Sequence, residues 1–383
     1  MAETYELDWD TTVATLAVLM VTSAIACCYI WYASAPKPRA AGRVTSITIY
    51  PLKSARGVSV ASAMLDARGF AYDRMWMVVD AHGAFMSQRR APKLALVEAA
   101  LPTSPSEPLH LRAPGAAPLD VPVVRQPALS RSVRVWDDRL VAVDQGEAAA
   151  TWLAAVLDVE GVRLVRMKDD AVRPASRKYA PRGAQAGSFS DGFPLLLASE
   201  ASLAELNQRL TSKGKPALPM NRFRPNLVIG SCPASARPSS SPKPFAEDSW
   251  LKVAMMPANG PAGRTVELGV VKPCSRCKMP TIDQSTGVPD GAASAAATTG
   301  NDDDDEGGGP AIKAEPTTTL RTFRSGEVLG YKKAGWKQDV FFGQNLVLLG
   351  KAIGATICVG DTVIATPRRR PGWFVRGVAG VDF

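Results

Sequence analysis

The sequence predicts an α+β fold in which β-structure dominates, arranged as a barrel or twisted sheets with a few helices. Three observations carry this prediction. Short segments rich in β-branched and aromatic residues recur between Gly and Pro turns. Only two segments after the N-terminal region combine helical spacing with a start signal. The sequence also lacks a βαβ series with a Gly-rich phosphate loop, which argues against a doubly wound α/β fold.

The first strand is predicted over residues 43–50, where apolar and polar residues alternate before the basic turn 51–57. Residues 75–79 and 84–87 flank Asp80-Ala-His-Gly83 and predict a hairpin. Residues 132–136 and 140–143 flank Asp137-Asp138 and predict a second hairpin. Each hairpin joins two short β-rich segments, so both favour antiparallel sheets.

Two helices are predicted from capping-box spacing. Asp144 and Glu147 would open the first, with Trp152, Leu153, Val156 and Leu157 on one face. Ser202 and Glu205 would open the second, whose apolar face holds Leu203, Leu206 and Leu210, and Gly214 would end it.

Composition limits the classes of function. The 383 residues carry a formal charge of +9, although the acidic run 302–306 offsets five positive charges. A basic surface suits phosphate groups, lipid headgroups or an acidic protein, and a solvated surface without a partner is the alternative. Helices with clustered Lys/Arg and interleaved aromatics are missing, so nucleic acid is not favoured. Six cysteines and two histidines argue for a reducing compartment and against a Ser-His-Asp triad or a His-rich zinc site.

The N-terminal segment 11–35 is uncharged and long enough to span a bilayer as a helix. Acidic residues precede it, and Lys37, Arg39 and Arg43 follow it, so the positive-inside rule predicts a single anchor with a cytosolic body. A cleaved signal peptide expects a basic start, whereas this one is acidic. A buried core helix is the third interpretation.

These features predict the domain organisation. A short acidic N-terminus (1–10), the anchor (11–35) and a linker (36–42) precede a β-rich domain (43–168) and a second domain (169–366). A segment of Ala, Thr, Gly and Asp over 289–318 is predicted to be a disordered insert of the second domain. A basic tail (367–383) ends the chain.

The cysteine motif Cys274-x-x-Cys277, flanked by Lys272, Arg276 and Lys278, is the main candidate for chemistry. Neighbouring cations favour the thiolate, which is the nucleophilic and metal-binding form. The spacing alone leaves four interpretations open: half a zinc site, a dithiol redox pair, one functional thiolate, or two ordinary half-buried cysteines. Zinc lacks two further well-placed ligands, and a thioredoxin-like pair lacks its βαβ context.

Several polar residues at the ends of predicted strands could bind an anion. Lys53, Ser54 and Arg74 lie in the first half of the chain, and Arg89 and Arg90 follow the first hairpin. Such cations suit charge-assisted binding of phosphate, although each is by itself most often a solvated surface charge.

Two later motifs complete the set of candidates. Asp191 lies in Phe189-Ser-Asp-Gly-Phe-Pro194, and Arg224 and Asn226 flank a proline that restricts the local backbone. The alternative for these motifs is a core strand edged by solvated arginines.

Taken in order, the motifs resemble the MOSC (molybdenum cofactor sulfurase C-terminal) superfamily over about residues 43–365. They are Tyr50-Pro-x-Lys-Ser54, Asp73-Arg-x-Trp76, Phe189-x-Asp191, Ser202-Leu203, Arg222-Phe-Arg-Pro-Asn226, Glu247-Asp-x-Trp250, Cys274-x-x-Cys277, Thr281-x-Asp-x-x-Thr-Gly287, Phe342-Gly-Gln-Asn345 and Val359-Gly-Asp361. With its apolar N-terminus, the chain is most similar to the mitochondrial amidoxime-reducing components within that superfamily. The implied fold is a β-rich MOSC-type barrel preceded by a β-rich subdomain.

The resemblance implies a molybdenum cofactor (molybdenum on a pterin dithiolene) with one protein cysteine as metal ligand, which falls on Cys277. A soft thiolate suits such a metal. It assigns Lys53, Ser54, Arg74 and Arg89 to the cofactor-binding cations and hydroxyls, Arg224 and Asn226 to the binding loop, and Asp191 to an acid near the metal. Pyridoxal phosphate is a further cofactor associated with the superfamily.

The implied activity is reduction of N-hydroxylated compounds such as amidoximes and hydroxylamines. Electrons would come from NADH through NADH-cytochrome b5 reductase and cytochrome b5, with a basic face docking the acidic cytochrome. The implied membrane is the mitochondrial outer membrane, with the endoplasmic reticulum as alternative. Gly192-Phe193 depart from the small hydroxyl residues that family members often carry there. The competing functions are a cofactor or sulfur carrier with Cys277 as persulfide, and an anchored scaffold.

Overall fold

The computed structural model describes residues 13, 16–26, 36–126, 129–231, 242–258, 264–290 and 314–368. Strands dominate this part of the chain, which confirms the predicted β-rich class. They are β1 (Arg39–Ile49), β2 (Val58–Val60), β3 (Ser62–Asp66), β4 (Gly69–Phe70), β5 (Trp76–Val79), β6 (Glu98–Ala99), β7 (Leu109–Ala113), β8 (Ala116–Val121), β9 (Ser130–Val135), β10 (Asp138–Asp144), β11 (Arg163–Met167), β12 (Leu195–Ser199), β13 (Leu227–Gly230), β14 (Trp250–Met256), β15 (Val266–Ser275), β16 (Phe341–Leu348), β17 (Thr356–Cys358) and β18 (Thr362–Pro367).

Beyond the helical residues 16–26, the helices of the described part of the chain are few and short. They are α1 (Glu147–Leu157), α2 (Glu200–Thr211), α3 (Thr317–Arg324) and α4 (Ala334–Lys337), with 3₁₀ turns at Pro92–Leu96, Met220–Phe223, Ala246–Ser249 and Met279–Thr281.

A seven-stranded barrel forms the centre of the molecule. Its strand order is β13-β12-β16-β15-β14-β18-β1, and β1 closes the ring by pairing with β13. Strands β12 and β13 run parallel, which requires a crossover, and α2 supplies it. The barrel interior is apolar and holds buried side chains such as Ile47, Leu197, Leu227, Val253 and Leu268. The strand nearest the N-terminus therefore completes a barrel made of strands from the second half of the chain.

A second apolar core lies under the sheet β5-β11-β10-β9, which α1 covers. The second predicted hairpin is present here as β9 and β10, whereas the first is present as a single antiparallel bridge, with no strand over 84–87. Asp138 pairs with Val135 across the second turn, and Val79 bridges Phe85 across the first. Strand β5 of the first hairpin and strands β9 and β10 of the second belong to one sheet, so both hairpins contribute to the same β-rich half.

The predicted capping boxes are wrong. Helix α1 begins at Glu147 after Gly146, and Asp144 lies in β10, where its carboxylate accepts the Gly146 N–H. Helix α2 begins at Glu200, so Ser202 lies inside it and donates to the Glu247 carboxylate at 2.6 Å. In both places a tertiary partner, Arg163 for Asp144 and Glu247 for Ser202, uses the side chain that local spacing assigned to a cap. The predicted apolar faces are confirmed, with Leu153 and Leu157 buried on α1 and Leu206 and Leu210 on α2.

The predicted insert 289–318 is too wide at both ends. Pro289 bridges Ile282, Asp290 pairs with Arg222, and α3 begins at Thr317, which is buried. Residues 291–313 lie outside the described part of the chain, as do most of the basic tail and residues 1–12. Of the predicted anchor, Val13 and residues 16–26 are described; 16–26 are helical and their side chains are exposed. Among all described helices, none is long and apolar enough to cross a membrane.

Candidate functional site

Cys277 lies on the loop that follows β15, immediately before the 3₁₀ turn Met279–Thr281. The Arg276 N–H donates to the Val340 carbonyl at 2.8 Å and fixes the loop against the chain that enters β16. Cys277 is half-buried, and its thiol is free. The loop therefore presents a constrained, partly accessible sulfur.

Burial raises the pKa of the Cys277 thiol, although a hydrogen bond from the Met279 N–H and the charges of Arg89 and Arg276 act in the opposite direction. The predicted effect of a flanking cation is therefore present for Arg276, but burial outweighs it. Lys272, one of the predicted flanking cations, lies instead over the Tyr179 ring at 5.3 Å from the centroid. A group that binds the sulfur as thiolate must supply compensating charge itself.

The Arg276 side chain contacts the sulfur of Cys274 rather than that of Cys277. Its Nη1 lies 3.0 Å from the Cys274 Sγ, and its Nη2 donates to the Phe223 carbonyl at 2.8 Å. The Nε of Arg276 is buried and has no hydrogen-bond partner among the described residues. A buried donor without a partner costs free energy, so this N–H is suited to an acceptor that the protein does not provide.

Lys53 and Asp191 form an ion pair with an Nζ–Oδ1 distance of 2.5 Å. Lys53 is buried and also donates to the Phe189 carbonyl at 2.8 Å, whereas 67% of the Asp191 side chain is exposed. Burial lowers the pKa of Lys53 against the opposing effect of Asp191. Partial burial works toward a higher pKa of Asp191, but the Lys53 charge outweighs it and holds the pKa below its usual range.

The loop that carries Asp191 is held by Arg173, which sequence reasoning missed. The buried Arg173 guanidinium donates to the carbonyls of Ser188, Ser190 and Asp191 and to the Asp138 carboxylate at 2.6 Å. Arg173 stands in no motif, and only the fold brings it to the loop. The arrangement fixes the backbone on which the exposed carboxylate sits.

Asp73, Arg74 and Asn226 form a buried polar cluster. Asn226 Nδ2 donates to Asp73 and to the Thr48 carbonyl, both at 3.1 Å, and its Oδ1 accepts from Arg74 at 2.9 Å. Arg74 also pairs with the Asp73 carboxylate. Burial raises the pKa of Asp73 against the effect of Arg74. Because the polar atoms of the Asn226 side chain already make hydrogen bonds within the protein, we infer that Asn226 positions Arg74.

Two arginines lie against the ring of Tyr50. The guanidinium carbons of Arg74 and Arg224 are 4.4 and 4.3 Å from its centroid, within cation–π distance. Burial lowers the pKa of Arg224 to about 10. Its Nη1 donates to Gln284 at 3.3 Å. Arg224 thus brings a positive charge into the interior with weak local compensation.

Gln88 and Gln284 link Ser54 to Arg224. Each glutamine donates to the other, at 2.9 and 2.8 Å, and Gln88 also donates to the Ser54 carbonyl at 2.7 Å. Gln284 falls inside a quoted motif, whereas nothing in the sequence pointed to Gln88. The pair joins the first and second halves of the chain at the site.

Backbone strain concentrates in the same region. Seven described non-glycine residues have positive φ, and four of them, Ser54, Arg74, Trp136 and Arg224, belong to or contact the residues above. Trp136 donates to Asp191 at 3.1 Å and lies under Arg89, whose guanidinium carbon is 4.5 Å from the ring centroid. Left-handed backbone at residues other than glycine is costly and clusters at functional sites.

All eight predicted site residues are therefore connected, through direct contacts or through electrostatic effects on one another. A cavity of about 850 Å³ borders this network, and its lining includes Tyr50, Arg224 and Gln284. Of the eight predicted site residues, Arg224 alone belongs to that lining.

Comparison with known proteins identifies relatives over both halves of the chain. Residues 41–160 match the MOSC N-terminal beta barrel domain, and residues 184–364 match the MOSC domain. Mitochondrial amidoxime-reducing component 1 of Mus musculus is 31% identical over 331 residues, covering 84% of this chain and 82% of the mouse protein. Its Homo sapiens counterpart is 31% identical over 332 residues with the same coverage. The molybdenum cofactor sulfurase of Danio rerio is 29% identical over 258 residues, which are 63% of this chain and 28% of that protein.

Proposed function

This chain belongs to the MOSC domain family, and from that premise we propose that it is a molybdenum-cofactor oxidoreductase that reduces N-hydroxylated compounds such as amidoximes and hydroxylamines. The relatives' names point to a molybdenum cofactor and to amidoxime reduction. The observation that carries the proposal is a constrained thiol, Cys277, which feels the charges of Arg89, Arg276 and Asp191, the last of them paired with the buried Lys53. That combination suits a soft metal attached to an anionic organic group.

The residues present fit such a group. Lys53, Arg74 and Arg224 bring three positive charges into the site, where Asp73 and Asp191 supply two negative ones. The excess cation and the unpartnered Nε of Arg276 both favour an added anion. The raised pKa of the Cys277 thiol agrees as well, because a bound metal cation stabilises the thiolate that burial alone disfavours.

The proposed roles follow from these positions. Cys277 would hold the metal, and Lys53, Ser54, Arg74 and Arg224 would hold the phosphate and pterin, with Arg89 beside the thiol. Asn226 acts one step removed, by fixing Arg74.

When bound, the cofactor supplies the two-electron reduction of the N–O bond, which consumes two protons and releases water. Asp191 contributes binding rather than proton donation, since Lys53 keeps its carboxyl ionised. An exposed carboxylate on a fixed backbone accepts hydrogen bonds from the N–H and O–H groups of an amidoxime. Arg173 keeps that carboxylate in place through the surrounding carbonyls.

The electron supply and location are part of the proposal. Electrons would pass from NADH through NADH-cytochrome b5 reductase and cytochrome b5. The uncharged segment 11–35 would anchor the protein with its body facing the cytosol. The relatives' names support mitochondria over the endoplasmic reticulum, and we propose the outer membrane.

Metal and pterin analysis of the purified full chain tests the proposal, together with benzamidoxime reduction in the presence of cytochrome b5 and its reductase. We expect stoichiometric molybdenum and pterin and NADH-dependent activity. Cys277→Ala should remove the metal and the activity, whereas the matched variant Cys274→Ala should keep most of both. Full metal and activity in Cys277→Ala would show that another residue is the ligand.

The carrier function remains the second candidate because the chain is also similar to a molybdenum cofactor sulfurase. It requires a persulfide on Cys277 and no reduction of benzamidoxime. Mass spectrometry of the intact protein decides between them: a gain of one sulfur atom on Cys277 in an inactive, metal-free protein would favour the carrier.

A further inference from the structure

Three lysines converge on two stacked aromatic rings close to the Cys277 loop. The rings of Tyr179 and Trp336 lie 5.9 Å apart in a stacked arrangement. Lys272 Nζ lies 5.3 and 5.2 Å from their two centroids, Lys178 Nζ 5.8 Å from Tyr179, and Lys333 Nζ 5.5 Å from Trp336. We name this group of five residues the lysine–aromatic surface.

The surrounding chain adds to the positive charge. Segments 176–183 and 331–339 contain six Lys/Arg and one Asp, a net charge of +5. Lys178 and Lys333 are exposed, and Lys272 is half-buried. This local excess of positive charge suits a surface that meets negative charge.

This surface lies next to the candidate metal ligand. Trp336 packs on Phe341 with ring centroids 5.7 Å apart, and Phe341 pairs with Ser275 across strands β15 and β16. The Arg276 N–H donates to the Val340 carbonyl at 2.8 Å, which brings the two segments together one residue before Cys277. A protein docked on this surface would be connected to the thiol by a short path through these residues.

We propose that the lysine–aromatic surface is the docking site for the acidic electron-donor protein of this enzyme, an inference that rests on the proposed function. Each docking event transfers one electron: the donor is oxidised by one electron and this protein is reduced by one. Two events supply the two electrons that, with two protons, break one N–O bond and release water.

A protein partner fits this surface better than a lipid bilayer does. Trp336 is 7% exposed, so its ring is covered and not free to insert among lipid headgroups as interfacial aromatics do. Cations around an aromatic centre are instead typical of protein interfaces, where the charges steer an acidic partner and fix its orientation.

The double variant Lys178→Glu/Lys333→Glu tests the docking surface, because both lysines are exposed and neither contacts the proposed cofactor residues. Its control is Lys215→Glu/Lys351→Glu, which makes the same change of net charge at two other exposed lysines. Benzamidoxime reduction is measured with cytochrome b5 and its reductase, and separately with reduced methyl viologen, a small donor that needs no docking. We expect the KM for cytochrome b5 to rise at least about tenfold, with a weaker salt dependence, while the viologen-driven rate is unchanged.

The outcomes separate the docking proposal from the proposed function. A native chain inactive with both donors would contradict the proposed function. If the native chain is active, the docking site would be overturned by a double variant whose KM for cytochrome b5 is unchanged or rises no more than that of the control. Equal loss with both donors would place the lysines in the catalytic site instead. Loss of binding to phosphatidylserine vesicles with an unchanged KM would assign the surface to a membrane. If the double variant unfolds, by circular dichroism, Lys178→Gln/Lys333→Gln replaces it with the same expectations and a smaller rise in KM.

Discussion

A buried carboxyl outside the candidate site makes stability depend on pH. Glu247 is fully buried, its Oε1 accepts from Ser202 at 2.6 Å, and its Oε2 has no partner among the described residues. Burial, with the neighbouring charge of Asp248, raises the pKa of Glu247 from 4.5 to about 7. We predict that Glu247→Gln, which keeps the shape and the acceptor of the side chain, stabilises the protein at alkaline pH.

The sign follows from proton binding in the two states. Between pH 4.5 and about 7 the folded protein holds the Glu247 proton and the unfolded chain has released it. Stability therefore falls as pH rises through this window, and the loss is complete above about pH 7. At 1.36 kcal/mol per pKa unit, the shift corresponds to about 3 kcal/mol. Gln does not titrate, so the variant is free of this loss.

Urea denaturation at pH 4.5 and pH 8 measures the effect. The free energy of unfolding of Glu247→Gln, relative to the native chain, should be higher at pH 8 than at pH 4.5 by about 3 kcal/mol. The exposed Glu160 provides the control, because Glu160→Gln should change the relative stability by less than about 0.5 kcal/mol between these pH values. Parallel pH profiles for the native chain and Glu247→Gln would refute the reasoning.

Three further predictions concern the site and the barrel. Asn226→Ala should lower the free energy of unfolding by about 3 kcal/mol in urea denaturation, because it leaves the buried hydrogen-bond partners of Asn226 unsatisfied. A decrease of less than about 1 kcal/mol would contradict this prediction. Gly343→Ala should cost roughly 2 kcal/mol or more, because φ is +82° and a Cβ would lie 2.8 Å from a backbone carbonyl, whereas Gly350→Ala has open space and should cost about 1. Arg74→Ala should lower the pterin content of purified protein, while Arg90→Ala at an exposed position should not; equal pterin in both would remove Arg74 from the cofactor site.

Local pattern identified the elements better than their ends. The hairpins around 80–83 and 137–138 follow from alternation and turn residues, which act within a few residues of sequence. The helix starts do not, because Ser202 bonds to Glu247 and Asp144 binds arginines of neighbouring strands. Whether a polar side chain caps a helix depends on which hydrogen-bond partners surround it in three dimensions, and sequence spacing does not report those partners.

The candidate site shows the same division. Motif order placed Lys53, Arg74, Asp191, Arg224 and Cys277 together through resemblance, and the fold connects them through contacts or charge. Arg173 and Gln88 had no detectable signal, since their importance lies in the loops and carbonyls they reach across the chain. The flanking sequence also reports the charge near Cys277 but not its burial, which sets the direction of the pKa shift.

By itself, then, the sequence determined a β-rich chain, its hairpins, the family and a motif centred on Cys277, since alternation, turn chemistry and motif order are local properties. The tertiary structure decided that β1 closes a barrel with strands some two hundred residues away, and that burial rather than charge dominates at the thiol. The tertiary structure also decided which polar groups bond to one another and which remain available to a ligand. Desolvation and long-range pairing depend on what surrounds a residue in space, so only the folded chain could settle them.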